Sequence, residues 1–421
     1  MSAAPPTDWF RDAGFGMFVH WGHSSLAGRE LSWPMVGGVS VLPFSDALPV
    51  AEYQSTAASF CPVKGAAREW VARAADAGMG YIVFTARHHD GFSMFDSKHS
   101  DFTVARGPYG GDIVAEVVEA ARAEGLRVGL YYSLSDWNHP DYPAFADADR
   151  PYQLIAYPRS DPEVWPRYLQ YLFGQITELL TGYGPIDLLW FDGGWERSAA
   201  EWQAAELHAL IRSLQPDVLV NDRLPGFGDF DTPEQMVPAQ PPARAWETCM
   251  TMNSTWGYCP SDTEYKSSVE LVQRLCEVRA GGGNLLLNVS PSGDGSLPRE
   301  QVDRLDALAA WMQVNRTAVI GAGPGLHPWQ FAGPSTRAGN RVLLHLLGRP
   351  FGAVKVRGVP IRGVRAVRHL GSGADLTFST TCSVADQMFN SNPMGEVAID
   401  VPAELITAPV TVIELVMEES Q

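Results

Sequence analysis

A (β/α)8-type TIM-like barrel followed by a small C-terminal antiparallel β-sandwich is the fold class this sequence predicts, and three observations predict it. Short, continuous apolar runs alternate with longer stretches of helical period over the first three quarters of the chain, which implies a parallel sheet covered on both faces. Most of these runs end in a polar side chain able to do chemistry, as at the mouth of a barrel; an open sheet would spread such groups along a line. After about residue 325 the period changes to two, with Gly and Pro between the segments, the pattern of an antiparallel sandwich. The expected division is 1–330 for the barrel and 331–421 for the sandwich.

Seven runs read as barrel strands, so one strand of eight is missed or irregular. Run 15–21 ends at His20, and run 81–86 leads into His88 and His89. Run 128–133 holds Tyr131, run 187–191 stops at Asp192, and run 218–221 precedes Arg223. Run 244–248 is expected to place Glu247 at a strand end, and run 284–289 places Asn288 there. Helical spacing fills 63–77, 112–124, 162–182, 199–214, 267–280 and 298–315. Segments 341–347, 353–356, 364–369, 397–401 and 410–416 alternate as half-buried strands do.

Composition narrows the function. With 48 acidic against 31 basic side chains the net charge is −17, which repels phosphate backbones and anionic lipid and so argues against nucleic acid or a membrane surface as partner. No stretch approaches the roughly 20 apolar residues of a membrane span. The opening MSAAPPTDWFRD has neither a basic nor an apolar leader region, so a cytoplasmic protein is expected. Five cysteines, odd in number and without a Cys-x-x-Cys pair, argue against a disulfide framework or a zinc ribbon. The glycine clusters at 281–283 and 293–295 match no phosphate-binding loop and read as turns.

Two carboxylates stand out. Asp192 is followed by Gly193 and Gly194, which allow a sharp turn and leave the acid exposed at the mouth; the competing reading has it capping the next helix. Glu247 lies in a stretch rich in Met, Trp and Tyr, where apolar surroundings would raise its pKa toward that of a general acid. Together they make the pair used in glycoside hydrolysis, whose separation decides between retention and inversion. Adjacent His88 and His89 reach one ligand only if their strand has already ended. With His20 they suit either sugar hydroxyls or a zinc ion. Arg223 either binds a ligand and orients the nucleophile or makes a structural ion pair. Of the 13 tryptophans, Trp21, Trp33, Trp137, Trp190, Trp195, Trp246 and Trp256 cluster near strand ends, and a few of these are expected to face the apolar side of a sugar.

The motifs FGMFVHWG ending at Gly22, ARHHDGF ending at Phe92, GLYYS ending at Ser133, LWFDG ending at Gly193, NDR ending at Arg223, WETCMTMN ending at Asn253 with WGY ending at Tyr258, and GGNLLLNV ending at Val289 together resemble the α-L-fucosidases of glycoside hydrolase family 29. The resemblance runs over residues 8–330, in the family's order. It implies an exo-acting enzyme that hydrolyses terminal α-L-fucosides, on a fucosylated glycan or a small fucoside, by retaining double displacement. It assigns Asp192 as nucleophile and Glu247 as acid/base, with Glu264 and Glu234 as the alternatives for the second role. It assigns His20, His88, His89, Tyr131 and Arg223 to binding fucose hydroxyls or orienting the nucleophile and Trp256 to the sugar's methyl group, and implies no metal or organic cofactor; of the strand-end tryptophans, Trp33 and Trp190 are expected to touch the sugar as well.

One departure stands at GRELSWP, ending at Pro34. Either Ser32 and Trp33 stand where the family has Glu-Trp, or Glu30 reaches in from a shifted loop; strict preference for fucose over L-galactose turns on which. A zinc-dependent barrel hydrolase using His20, His88 and His89, and a non-catalytic fucose-binding homologue, are the competing functions.

Overall fold

The computed structural model describes residues 6–154 and 156–418. Strands β1 (Phe15–Val19), β2 (Tyr81–Arg87), β3 (Arg127–Ser133), β4 (Leu188–Asp192), β5 (Leu219–Val220), β6 (Glu247–Thr251) and β7 (Asn284–Val289) form one parallel half-barrel in the order β5-β4-β3-β2-β1-β7-β6. Period-two alternation sorts their side chains between two apolar clusters. Phe18, Val83, Tyr131, Leu188, Trp190, Leu219, Cys249 and Leu286 fill the concave face. Met17, Val19, Phe84, Leu130, Leu189, Phe191 and Leu287 pack outward against the helices.

The gap between β5 and β6 is spanned by an irregular segment. Isolated parallel bridges join Asn221 to Phe230, Asp231 to Trp246, and Glu234 to Cys249. The Glu247 amide donates to Asp231 O at 3.0 Å and the Gln235 amide to Cys249 O at 2.9 Å. Proline at 233 removes one amide donor, which helps explain why this stretch makes bridges rather than a regular strand and why its periodicity escaped a reading by apolar runs.

The expected limits of β6 need correction. The strand runs from Glu247 to Thr251, so Glu247 opens it on the side away from the cavity instead of closing it at the mouth. Both CMT and the preceding RAW are strand-compatible, and apolarity alone does not say where such a run stops. The opposite holds at β2, which ends at Arg87; His88 and His89 follow the strand end, as two neighbouring side chains serving one ligand require.

Helices Ala67–Asp76, Ile113–Ala123, Trp165–Gly182, Ala204–Leu214, Ser268–Ala280 and Arg299–Asn315 alternate with the strands. Their starts follow local capping where a cap exists. Asp112 accepts the Ala115 amide at 2.8 Å and Ser267 the Glu270 amide at 3.1 Å, satisfying donors a helix leaves free.

Beyond them come β8 (Gly323–Pro324), β9 (Ser335–Ala338), β10 (Arg341–Leu346), β11 (Val354–Pro360), β12 (Val364–His369), β13 (Phe378–Thr381), β14 (Met394–Ile399) and β15 (Thr411–Met417). They make a five-stranded sheet, β12-β15-β10-β9-β8, and a three-stranded one, β11-β14-β13, with Val342, Leu344, Val356, Val367, Val397, Ile399, Ile413 and Leu415 in one shared core. Trp311 on the last barrel helix donates to Val410 O at 2.9 Å, and the Thr336 hydroxyl to Ala318 O at 2.8 Å, so this unit is docked rather than tethered. Among the described residues no helix is long and apolar enough to cross a membrane.

Candidate active site

The C-terminal ends of the parallel strands and the loops after them converge on one cavity of about 460 Å3. Asp192, the last residue of β4, lies in it. Gly193, with a φ of 71°, takes the turn that follows, and a Cβ there would meet Ser135 Oγ at 2.1 Å. A Cβ on Gly194 would meet Arg223 O at 2.3 Å. Only glycines let the chain leave β4 this tightly, which keeps the Asp192 side chain in the cavity. Its oxygens accept from Arg223 Nη1 at 2.9 Å and from the Tyr131 hydroxyl at 2.8 Å. The short 3-10 turn at Gly194–Glu196 has Gly193 as its N-cap, without side-chain capping, so the capping reading of Asp192 falls.

Burial pushes the Asp192 carboxyl up, but Arg223, His89 and the Tyr131 hydroxyl more than offset it, and the net pKa is below that of an ordinary aspartate. The carboxylate is therefore kept ionised in a largely dry place, as a nucleophile needs. Arg223 divides its fork: the second nitrogen, Nη2, donates to Glu234 Oε2 at 2.7 Å. Nε reaches Thr232 Oγ1 at 3.3 Å, and the guanidinium lies 4.7 Å from the centre of the Trp190 ring.

Three histidines complete the polar wall. His20 Nδ1 meets Asn288 Oδ1 at 2.7 Å, His88 Nδ1 meets Ser32 Oγ at 2.6 Å, and His89 Nδ1 meets Ser133 Oγ at 2.6 Å. Burial dominates their titration and lowers all three: His20 and His89 to about 4, and His88 well below the ordinary histidine value. They are neutral at physiological pH, fit for exchanging hydrogen bonds with hydroxyl groups. On another side Phe18, Leu31 and Trp256 form an apolar niche beside His20, whose ring centroid is 5.1 Å from that of Trp256. Trp33, Leu42 and Trp195 also line the cavity.

Asp192, His20, Trp33, His88, His89, Tyr131, Trp190, Arg223 and Trp256 thus meet in one place, as the sequence predicts. Glu247 does not. It is fully buried beneath the cavity, accepting from Trp190 Nε1 at 2.7 Å and the Tyr81 hydroxyl at 2.5 Å. Burial pushes its pKa up to about 7, so the expected shift is present without access to a substrate. Of the two alternatives, Glu264 is exposed and outside the lining, whereas Glu234 lines the cavity with its side chain 38% accessible.

Glu30 also reaches the cavity wall, but its oxygens already accept the amides of Leu31, Trp256 and Gly257 at 3.0, 2.7 and 2.9 Å. Both readings of the departure are thus partly met, Trp33 in the lining and Glu30 behind the Trp256 turn. Phe18, Leu31, Leu42 and Cys249 were missed, because nothing marks an apolar lining residue apart from an apolar core residue. Trp21, Trp137 and Trp246 are packing.

Among the described residues the one trio able to share an ion is His88, His89 and Asp192, with ligand atoms within 4.8 Å of one another. The trio expected for zinc, His20, His88 and His89, is not that set.

The family model for α-L-fucosidase matches residues 1–317. The chain belongs to the α-L-fucosidase family. Family members are glycoside hydrolases, and the similarity extends through both parts of the fold. An α-L-fucosidase of Dictyostelium discoideum is 28% identical over 77% of this chain and 73% of its own. The solved α-L-fucosidase isoenzyme 1 of Paenibacillus thiaminolyticus is 36% identical, with a TM-score of 0.85 over 98% of this chain and 99% of that one. A family 29 α-L-fucosidase of Bacteroides thetaiotaomicron, solved as a trapped covalent intermediate with 2-fluoro-fucosyl fluoride, is 25% identical, with a TM-score of 0.81 over 99% and 97%.

Proposed function

We propose that the chain is an exo-acting α-L-fucosidase that hydrolyses terminal α-L-fucosides with retention, Asp192 serving as nucleophile and Glu234 as acid/base. One observation carries this reading: a single guanidinium, that of Arg223, holds both carboxylates at the same cavity, Asp192 at 2.9 Å and Glu234 at 2.7 Å. Two carboxylates sharing one fork suit the close spacing of about 5 Å that retention needs better than the wider gap that admits a water between them. The half-barrel is on this reading a (β/α)8-type barrel in which 230–235 replaces a regular eighth strand and delivers Glu234 to the mouth.

In the first step an Asp192 oxygen bonds to the anomeric carbon while the bond to the leaving oxygen breaks and Glu234 gives that oxygen a proton. In the second, Glu234 takes a proton from water, the water oxygen replaces Asp192 at the anomeric carbon, and fucose leaves with both catalytic groups restored. His20, His88 and His89 bind hydroxyls, and the Phe18–Leu31–Trp256 niche takes the apolar methyl of the 6-deoxy sugar. No step requires a metal.

The test is the initial rate on aryl α-L-fucoside, α-L-galactoside, β-D-galactoside and β-D-fucoside, with Asp192→Ala beside the wild type and the first-formed anomer followed by proton NMR. Asp192-dependent release of α-L-fucose is expected. First-formed β-L-fucose would refute retention; saturable fucose binding with no hydrolysis would favour the non-catalytic homologue.

A further inference from the structure

Ser32, beside the cavity, has a constrained non-glycine backbone. Its φ of 61° with ψ of −36° lies where a residue bearing a Cβ seldom sits. Around it the Trp33 amide closes on Leu31 O at 2.7 Å, a three-residue turn of the strained hand. Such a conformation persists only where the surroundings over-determine it, and at Ser32 a ring of hydrogen bonds does so. The Ser32 amide donates to the Tyr53 hydroxyl at 2.7 Å, Tyr53 donates to Asp90 Oδ2 at 2.9 Å, and the Asp90 amide donates back to Ser32 Oγ at 3.0 Å.

Counting protons gives these bonds a direction. Tyr53 has one hydroxyl hydrogen and spends it on Asp90. Ser32 Oγ accepts from the Asp90 amide and, among the described residues, has no partner for its own hydrogen except His88 Nδ1 at 2.6 Å, so the hydroxyl donates there. His88 is half-buried and neutral, and with Nδ1 accepting, its single ring proton belongs on Nε2. His20 comes out reversed. Asn288 spends an amide hydrogen on Trp256 O at 2.8 Å and turns Oδ1 to His20 at 2.7 Å, so His20 Nδ1 donates and its Nε2 is a bare lone pair. His89 matches His20, because Ser133 spends its hydrogen on Ser135 O at 2.6 Å and must accept from His89 Nδ1.

We propose that Ser32 is a positioning residue that locks His88 as the N–H donor among the three cavity histidines, so that a ligand must offer a hydroxyl oxygen to His88 and hydroxyl hydrogens to His20 and His89. The inference rests on reading the cavity as the site of the sugar. It makes the site selective for a sugar hydroxyl at one position by the direction of its hydrogen bond, beyond the shape of the pocket.

Ser32→Gly tests this, since glycine tolerates the positive φ and removes the hydroxymethyl group; Ser32→Ala, which removes only the hydroxyl, serves the same purpose if the glycine variant does not fold. The full-length protein, labelled with 15N-histidine and free of substrate at neutral pH, reports ring protonation by NMR. The wild type is expected to show His88 protonated at Nε2, and His20 and His89 at Nδ1. In the variant His88 becomes a mixture of tautomers, the other two are unchanged, and kcat/KM for an aryl α-L-fucoside drops about tenfold. A wild-type His88 protonated at Nδ1, or a variant with an unchanged His88 tautomer, overturns the proposal. A wild type that gives these spectra yet cleaves no fucoside upholds Ser32's hold on His88 and overturns the glycosidase reading instead.

Discussion

Trp190 donates its indole N–H to Glu247 Oε1 at 2.7 Å, so the tryptophan in the cavity wall is tied from beneath by a buried carboxylate. Arg223 lies over the same ring, 4.7 Å from its centre. Trp190 therefore stands between Glu247 and the groups that face a substrate. Burial pushes the Glu247 pKa up to about 7 against the bonds from Tyr81 and Trp190, which lower it; the same burial acts on a general acid in a dry pocket and on an acid sealed in the core, and only access distinguishes them.

Replacing Glu247 by Gln should act on stability and leave the leaving-group dependence alone. Folded Glu247 holds its proton more tightly than an unfolded glutamate at 4.5. The native state therefore binds more protons between about pH 4.5 and 7, and this group's contribution is full at low pH and lost as pH rises through the folded value. The shift corresponds to about 3 kcal/mol across that window. Denaturant unfolding of wild type and Glu247→Gln at pH 4.5 and 8 should show the variant gaining on the wild type at the higher pH. A difference independent of pH would contradict the buried, protonated assignment.

Glu234→Ala should lose about a hundredfold to ten-thousandfold on a fucosyl disaccharide, whose leaving group needs a proton, and far less on an activated aryl fucoside. Equal losses on the two substrates would remove Glu234 from the acid role. The same pair of substrates applied to Glu264→Ala should show no such split, since Glu264 is outside the cavity lining.

Asp192→Asn should reduce kcat/KM on every fucoside by about ten-thousandfold or more while the protein still folds, because Arg223 keeps its bond to Glu234 at 2.7 Å. Thermal unfolding beside the rate assay separates the two effects. A variant that is inactive only because it is unfolded would leave the nucleophile unassigned to Asp192.

Arg223→Lys should raise the acid limb of kcat/KM. Burial already opposes ionisation of Asp192, and Arg223 is the leading group that offsets it. A point charge cannot serve both carboxylates as the planar fork does, so the Asp192 pKa moves up and activity is lost from the acid side first. An acid limb that stays in place while kcat falls would mean that Arg223 binds substrate and does not tune Asp192.

Legibility followed the physics of each residue. Asp192 and the histidines were readable because a polar side chain just after an apolar run has few other reasons to be there, and at β2 and β4 the run ends where its sequence ends. Glu247 was misplaced because RAWETCMT is strand-compatible on both sides of it, and a shift of a few residues moves a side chain from mouth to floor. Glu234 stood only among the alternatives, with Glu264 named before it, because its segment, 230–235, carries a proline and pairs only through isolated bridges, leaving no periodic signal.

The sequence by itself determined the alternation of parallel strands and helices, the antiparallel C-terminal unit, the family, and nine side chains that share one cavity, since these rest on local periodicity and on residue types that water and apolar cores sort strongly. Tertiary structure alone decided which carboxylate faces that cavity, that Arg223 joins Asp192 to Glu234, and that Ser32 is turned toward His88. Those outcomes depend on strand ends, bridges and hydrogen-bond partners well separated along the chain, such as Tyr81 with Glu247. Only packing sets these, because no local preference of the chain encodes a distance between residues so far apart.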